Sequence, residues 1–215
     1  THNWWHLALF YLARGDQARV LEIYDQHVWG VLPAHSPAQI GAVSLLARLE
    51  FAGIEVGERW QALAPYLQAR HRDTVQPFLS VQYLYGLGRA GKPEADQLLH
   101  ALREHAREAP VFSRAVWAEV TLPLAEGLLA HARGEHRLAL ERLGVALPRL
   151  NDIGGSHAQR DLFAQIELDA RLHAQDWAGA QQVLELRRRY DGLDVPTNRA
   201  LERVYQALGL PTLAQ

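Results

Sequence analysis

Apolar residues recur along this chain in steps of three and four, and no stretch alternates strictly between apolar and polar. That is the pattern of amphipathic helices, not of strands. Breakers close the helical runs at regular intervals. Gly15, Gly53 and Gly91 are 38 residues apart, Gly134 follows 43 residues later, and Gln175-Asp176 takes the same place 41 residues further on. The pattern predicts an all-α chain with helices over about 2–14, 16–29, 37–52, 56–70, 75–90, 92–107, 111–133, 135–150, 156–174, 176–190 and 196–208. A period near 40 residues holding two helices marks a solenoid of stacked helix pairs. The expected organisation is a single domain over 1–215, with repeats at 1–35, 36–73, 74–110, 111–153 and 154–194 and a capping helix at 195–209.

Several helix starts carry their own chemistry. Ser36-Pro37-Ala38-Gln39 offers an N-cap serine, a proline at the first helical position and a capping-box glutamine. Ser156 with Gln159 repeats the box, and Asp16 and Asp176 stand where they can cap the second helices of their pairs. Asn151-Asp152-Ile153-Gly154-Gly155 reads as the clearest loop between repeats. The last helix stands alone and is expected to cover the apolar end of the fifth pair.

The first unit contains Trp4, Leu7, Ala8, Tyr11, Gly15, Val20, Tyr24 and Pro33. It resembles the tetratricopeptide repeat, with Val20 where that repeat usually has alanine. Packing explains the choices. Ala8 sits where the paired helices approach, Val20 faces it, and Trp4, Leu7 and Tyr11 form one stripe. Gly127 and Ala139 take the small positions in the fourth unit, and the fifth keeps Ala180 and Leu184. Leu46 and Leu84 replace the small residue in the second and third. The resemblance implies a right-handed α-α superhelix, a TPR-like solenoid of about five helix pairs plus a C-terminal capping helix.

Two segments are more specific. Thr1-His2-Asn3-Trp4-Trp5-His6-Leu7-Ala8-Leu9-Phe10 and Ile153-Gly154-Gly155-Ser156-His157-Ala158-Gln159-Arg160-Asp161 resemble hallmarks of the tetratricopeptide repeat protein 38-like family. Members of that family are longer, and the first segment lies near their middle. The resemblance therefore implies that this chain corresponds to their C-terminal half, and it implies no particular reaction.

Composition narrows the function classes. The 215 residues are 48% hydrophobic, enough for a substantial core. The formal net charge of −2 carries no excess that would point to nucleic acid or a membrane surface. No apolar run reaches the roughly 18 residues of a membrane span. The absence of cysteine excludes disulfides, thiol catalysis and cysteine-ligated zinc, and fits a cytoplasmic protein. Lysine occurs once, at Lys92, beside abundant arginine, alanine and leucine, as in a GC-rich bacterial coding bias. The chain starts at Thr1, not Met, and is expected to be part of a longer protein.

In stacked helix pairs, first helices line the concave face. Here that face would carry His2, Trp5, His6 and Leu9, then Val43 and Phe51, then Phe78, Tyr85 and Arg89, with His131, Asp169 and His173 further along. Such an apolar surface marks an interface. The expectation is a scaffold, not an enzyme, binding a protein or peptide, or the N-terminal half of its own chain, in an apolar groove. Trp5, Phe51, Phe78 and Tyr85 would make apolar contact, while Arg89 and Arg160 fix polar ends. Self-association into a homo-oligomer is compatible with this reading.

The alternative is an enzyme or small-molecule or metal-binding site formed with absent residues, using His2 and His6 together with His157, Arg160 and Asp161. His2 and His6 have the four-residue spacing of two metal ligands, as do His157 and Asp161. The two pairs are about four repeats apart, too far to share an ion without strong curvature or a dimer, and no third ligand is evident. No metal and no cofactor are therefore expected. Ser156, His157 and Asp161 are triad residue types, but one short helical segment cannot give them relay geometry, so no catalytic residue is assigned. Arg187-Arg188-Arg189-Tyr190 reads as a solvated face paired with Glu185 or Asp191.

Overall fold

The computed structural model describes residues 2–211; Thr1 and residues 212–215, part of the expected 1–215 domain, lie outside the described residues. Among the described residues the chain is all-α, without a strand. Helices α1 (His2–Ala13) and α2 (Gln17–Ile23) form the first pair, α3 (Ser36–Phe51) and α4 (Arg59–Gln68) the second, and α5 (Pro77–Arg89) and α6 (Glu94–Glu108) the third. Helix α7 (Val111–Ala115) runs through a π-helical segment, Val116–Thr121, into α8 (Leu122–Ala132), which packs on α9 (His136–Ala146). Helix α10 (His157–His173) pairs with α11 (Trp177–Tyr190), and α12 (Val195–Leu208) follows. The expected helix over 135–150 ends early, because Pro148 has no N–H for the α-helical bond and the chain continues as a 3-10 turn, Leu147–Ile153.

The regular breakers do one job. Gly15, Gly53, Gly91 and Gly134 all take a left-handed conformation, with φ between 66° and 78°, and Gln175 adopts the same conformation at φ 60°. Asp16 accepts the Arg19 N–H at 3.1 Å, Asp176 accepts the Gly179 N–H at 3.1 Å, and the Ser156–Gln159 capping box is complete. The box expected at Ser36 does not form. Ser36 is already helical, and Gln39 instead donates to the Pro33 carbonyl at 3.0 Å.

Small residues sit at the close approaches. Ala8 and Val20 are fully buried between α1 and α2. A Cβ on Gly127 would lie 3.1 Å from the Leu143 backbone nitrogen, so α8 and α9 touch through glycine. The two adjacent tryptophans exchange their expected roles. Trp4 is 38% exposed and stacks on His27, whereas Trp5 is buried.

The first helices of the last four pairs close into a ring. Helix α3 packs on α5, α5 on α8, α8 on α10, and α10 back on α3. Phe78 meets Phe163 and Phe51 meets His131 across it. Helix α12, packed on α11, also reaches α1, where Val195 lies against Gly15 and Asp191 pairs with Arg14. This overturns the expectation of an open apolar groove. Trp5, Val43, Phe78 and Tyr85 are core residues, and Leu9 and Phe51 are partly buried against that core. The face is apolar because its helices pack on one another. Helix α3 accordingly buries every residue from Ala38 to Leu49 except Gly41, whereas outer α6 buries only Ala95, Leu98, Leu99, Leu102 and Ala106, one stripe at helical spacing.

Candidate functional site

The four ring helices run in the same sense, so their last turns converge at one end. Each last turn carries a polar residue two or three positions before its breaker: Glu50, Arg89, His131 and His173. Together with Phe51, Asp169 and His136 they line a cavity of about 420 Å³.

A hydrogen-bond chain runs into its wall. Asp169 Oδ2 accepts from His131 Nε2 at 2.8 Å. A carboxylate only accepts, so Nε2 carries a proton, and Nδ1 is hydrogen-bonded to the Tyr85 hydroxyl at 3.2 Å. Burial raises the Tyr85 pKa and keeps the phenol protonated. Both His131 nitrogens are thus engaged within the protein, and its side chain is only 1% exposed. Asp169 also holds His173, whose Nδ1 lies 3.2 Å from Oδ2 and bonds the Asp169 carbonyl at 2.9 Å.

His136 stacks on His173 with ring centroids 4.6 Å apart. Its buried Nδ1 has no hydrogen-bond partner. Burial, then the neighbouring His173 and His131, push the His136 imidazole below its ordinary pKa, so it is neutral at pH 7. Opposite, an Arg89 guanidinium nitrogen is 2.8 Å from Glu50 Oε2. The pair is ionic but poorly directed, since Glu50 Oε2 makes no aligned hydrogen bond.

The residues singled out from the sequence gather at the other end of the ring. His2 and Trp5 share a small cavity with Gln159, so the starts of α1 and α10 are neighbours despite the three helix pairs between them. The distance expected to separate the two segments is removed by the closure of the ring. The cavity, about 30 Å³, holds no more than a water. His2 and His6 are exposed and lie 3.2 Å apart, ring nitrogen to ring nitrogen. His157 is exposed. Arg160 donates to the Gly154 and Gly155 carbonyls. Asp161 forms a two-point pair with Arg187 at 2.7 and 3.0 Å, which corrects the expected pairing of the basic run with Glu185 or Asp191. Arg48, 3% exposed, lies over Trp5, donates to the Ala158 carbonyl at 3.0 Å and sits 3.9 Å from Asp161. Burial pulls its guanidinium down to about 10 against the opposing charge of Asp161. These groups satisfy one another and pin α10 to α3 and α11.

Of the residues expected to contact a partner in the groove, Arg89 and Phe51 line the large cavity. The sequence reading missed Glu50 and His136, and placed His131, Asp169 and His173 on the inner face without assigning them a site. The signal available was the polar last turn before each breaker.

No group of three or more His, Cys, Asp or Glu residues among the described residues is arranged to hold a metal ion. No helix among them is long and apolar enough to cross a membrane. No protein-family model and no solved structure matches the chain.

Proposed function

We propose that the chain is a TPR-like right-handed superhelix of about five helix pairs, wound tightly enough to close on itself, and that it binds a small polar molecule at the mouth of its inner ring. The observation that carries this reading is the convergence of ionic and imidazole groups from α3, α5, α8, α9 and α10 on one cavity of about 420 Å³. Ligand cavities span roughly 300–1,000 Å³ and carry a few polar groups that orient the ligand. No Ser, Thr or Cys stands on this wall among the described residues, and the reading is one of binding. The test is ligand-observed NMR with a diverse set of small polar compounds, on the wild type and on His173→Trp, which fills the mouth from an exposed position. Compounds that bind the wild type should be lost in the variant; binding that is equal in both counts against the reading.

A protein-binding role moves to the outer surface. Val111 and Phe112, at the start of α7, are 84% and 89% exposed. A protein, a peptide or further residues of the same chain docked there would cover them. Crosslinking with native partners that never involves α7 would remove this second reading.

A further inference from the structure

The cavity's charge balance names a ligand class, on the premise that it binds a small molecule at all. Its ionised groups are Glu50 on α3, Arg89 on α5 and Asp169 on α10. Glu50 and Arg89 offset each other at 2.8 Å. Asp169 faces His131 on α8 and His173 on its own helix, with His136 on α9 behind His173 and the protonated Tyr85 on α5 behind His131, and it also feels the charge of Arg89. The side chains of Glu50, Arg89 and Asp169, two carboxylates and one guanidinium, sum to one negative charge in the wall.

The backbone adds to it. Helices α3, α5, α8 and α10 each present a C-terminal end to the cavity, against one N-terminal end, that of α9. Each C-terminal end is equivalent to about half a negative elementary charge. Phe51 supplies aromatic surface of the kind that attracts organic cations.

We propose that this cavity takes a small organic cation, an ammonium compound whose charge is met by Asp169 and by the carbonyl ends of the four ring helices. Acidification works against it. Protonating His136, which burial and then its imidazole neighbours hold below its ordinary pKa, would add positive charge to the wall and oppose the ligand.

The test uses three length-matched probes, n-butylammonium, butanoate and 1-butanol, titrated into the histidine-labelled chain at low salt and pH 7.5. Butylammonium should shift the imidazole resonances of His131, His136 and His173 and bind about tenfold or more tighter than the other two. Glu50→Gln, which frees the charge of Arg89, and Asp169→Asn should each weaken it several-fold with helicity unchanged. Lowering the pH to 5.5 should do the same in the wild type. Stronger binding of butanoate or butanol overturns the cation assignment and leaves the cavity a ligand site. If none of the probes, and no compound of the diverse set, moves those resonances, the ligand-site reading falls as well.

Discussion

His131 and Asp169 lie 38 residues apart, on helices of different pairs, and their side chains meet at 2.8 Å across the inner ring. Asp169 keeps a proton on one nitrogen of a buried imidazole whose other nitrogen is hydrogen-bonded to Tyr85. Replacing it with leucine leaves the His131 N–H buried without an acceptor, at a cost of roughly 1–3 kcal/mol. Asn keeps an oxygen in place and should cost less than half as much. Urea unfolding of both variants measures the difference; equal losses would mean that the hydrogen bond contributes nothing.

Gln175 is the one breaker that is not glycine, and it pays for a left-handed backbone. Relief of that strain is worth about 1–2 kcal/mol, and the extra freedom of an unfolded glycine costs about 0.5–1 kcal/mol. Gln175→Gly should therefore raise stability by up to about 1 kcal/mol, read as an upward shift in melting temperature. Gly155→Ala should act oppositely and more strongly, because φ is 77° and the new Cβ would strike the Phe78 ring.

Two glycines on a facing pair of helices separate packing from propensity. Gly127→Leu inserts a side chain where the Leu143 backbone is already in contact, and should destabilise by at least about 1–3 kcal/mol. Gly144, on α9, has nothing within 4 Å of an added Cβ. Gly144→Ala should stabilise by about 0.5–1 kcal/mol through helix propensity alone. Calorimetry on the two variants distinguishes the mechanisms.

Stability should fall with acid in two stages. His136 has a lowered pKa in the fold, from burial first and then from His173 and His131. The unfolded chain therefore binds the extra proton, and stability declines as pH drops below about 6.5. Burial pushes Asp161 upward, but the hydrogen bond and charge of Arg187, and the charge of Arg48, outweigh it, so its pKa is lowered. Its contribution is present above the ordinary carboxylate value, about 3.9, and is lost as pH falls through the depressed folded value. Unfolding free energy measured from pH 8 to 2 should lose the first stage in His136→Phe and the second in Asp161→Asn.

The local architecture was legible in the sequence because its causes are local. A glycine after each helix, an aspartate or serine before the next, and Ala8, Gly127, Ala139 and Ala180 at the tight contacts act within one helix pair. The even breaker spacing also placed the polar last turns at one end of the array. That turn was not recognised as a site because each unit contributes a different chemical group there: a carboxylate, a guanidinium, an imidazole and another imidazole.

By itself, then, the sequence determined an all-α chain and the breakers that divide it into paired helices. Only the tertiary structure decided what the apolar inner stripe is for. A stripe of Val43, Phe78 and Tyr85 has the same hydrophobic pattern whether it faces a bound partner or another helix of the same chain. The hydrophobic effect has no direction, and the curvature of the array settles which surface covers that stripe. Here α10 returns to α3, the stripe becomes core, and the cavity opens where the four helices end.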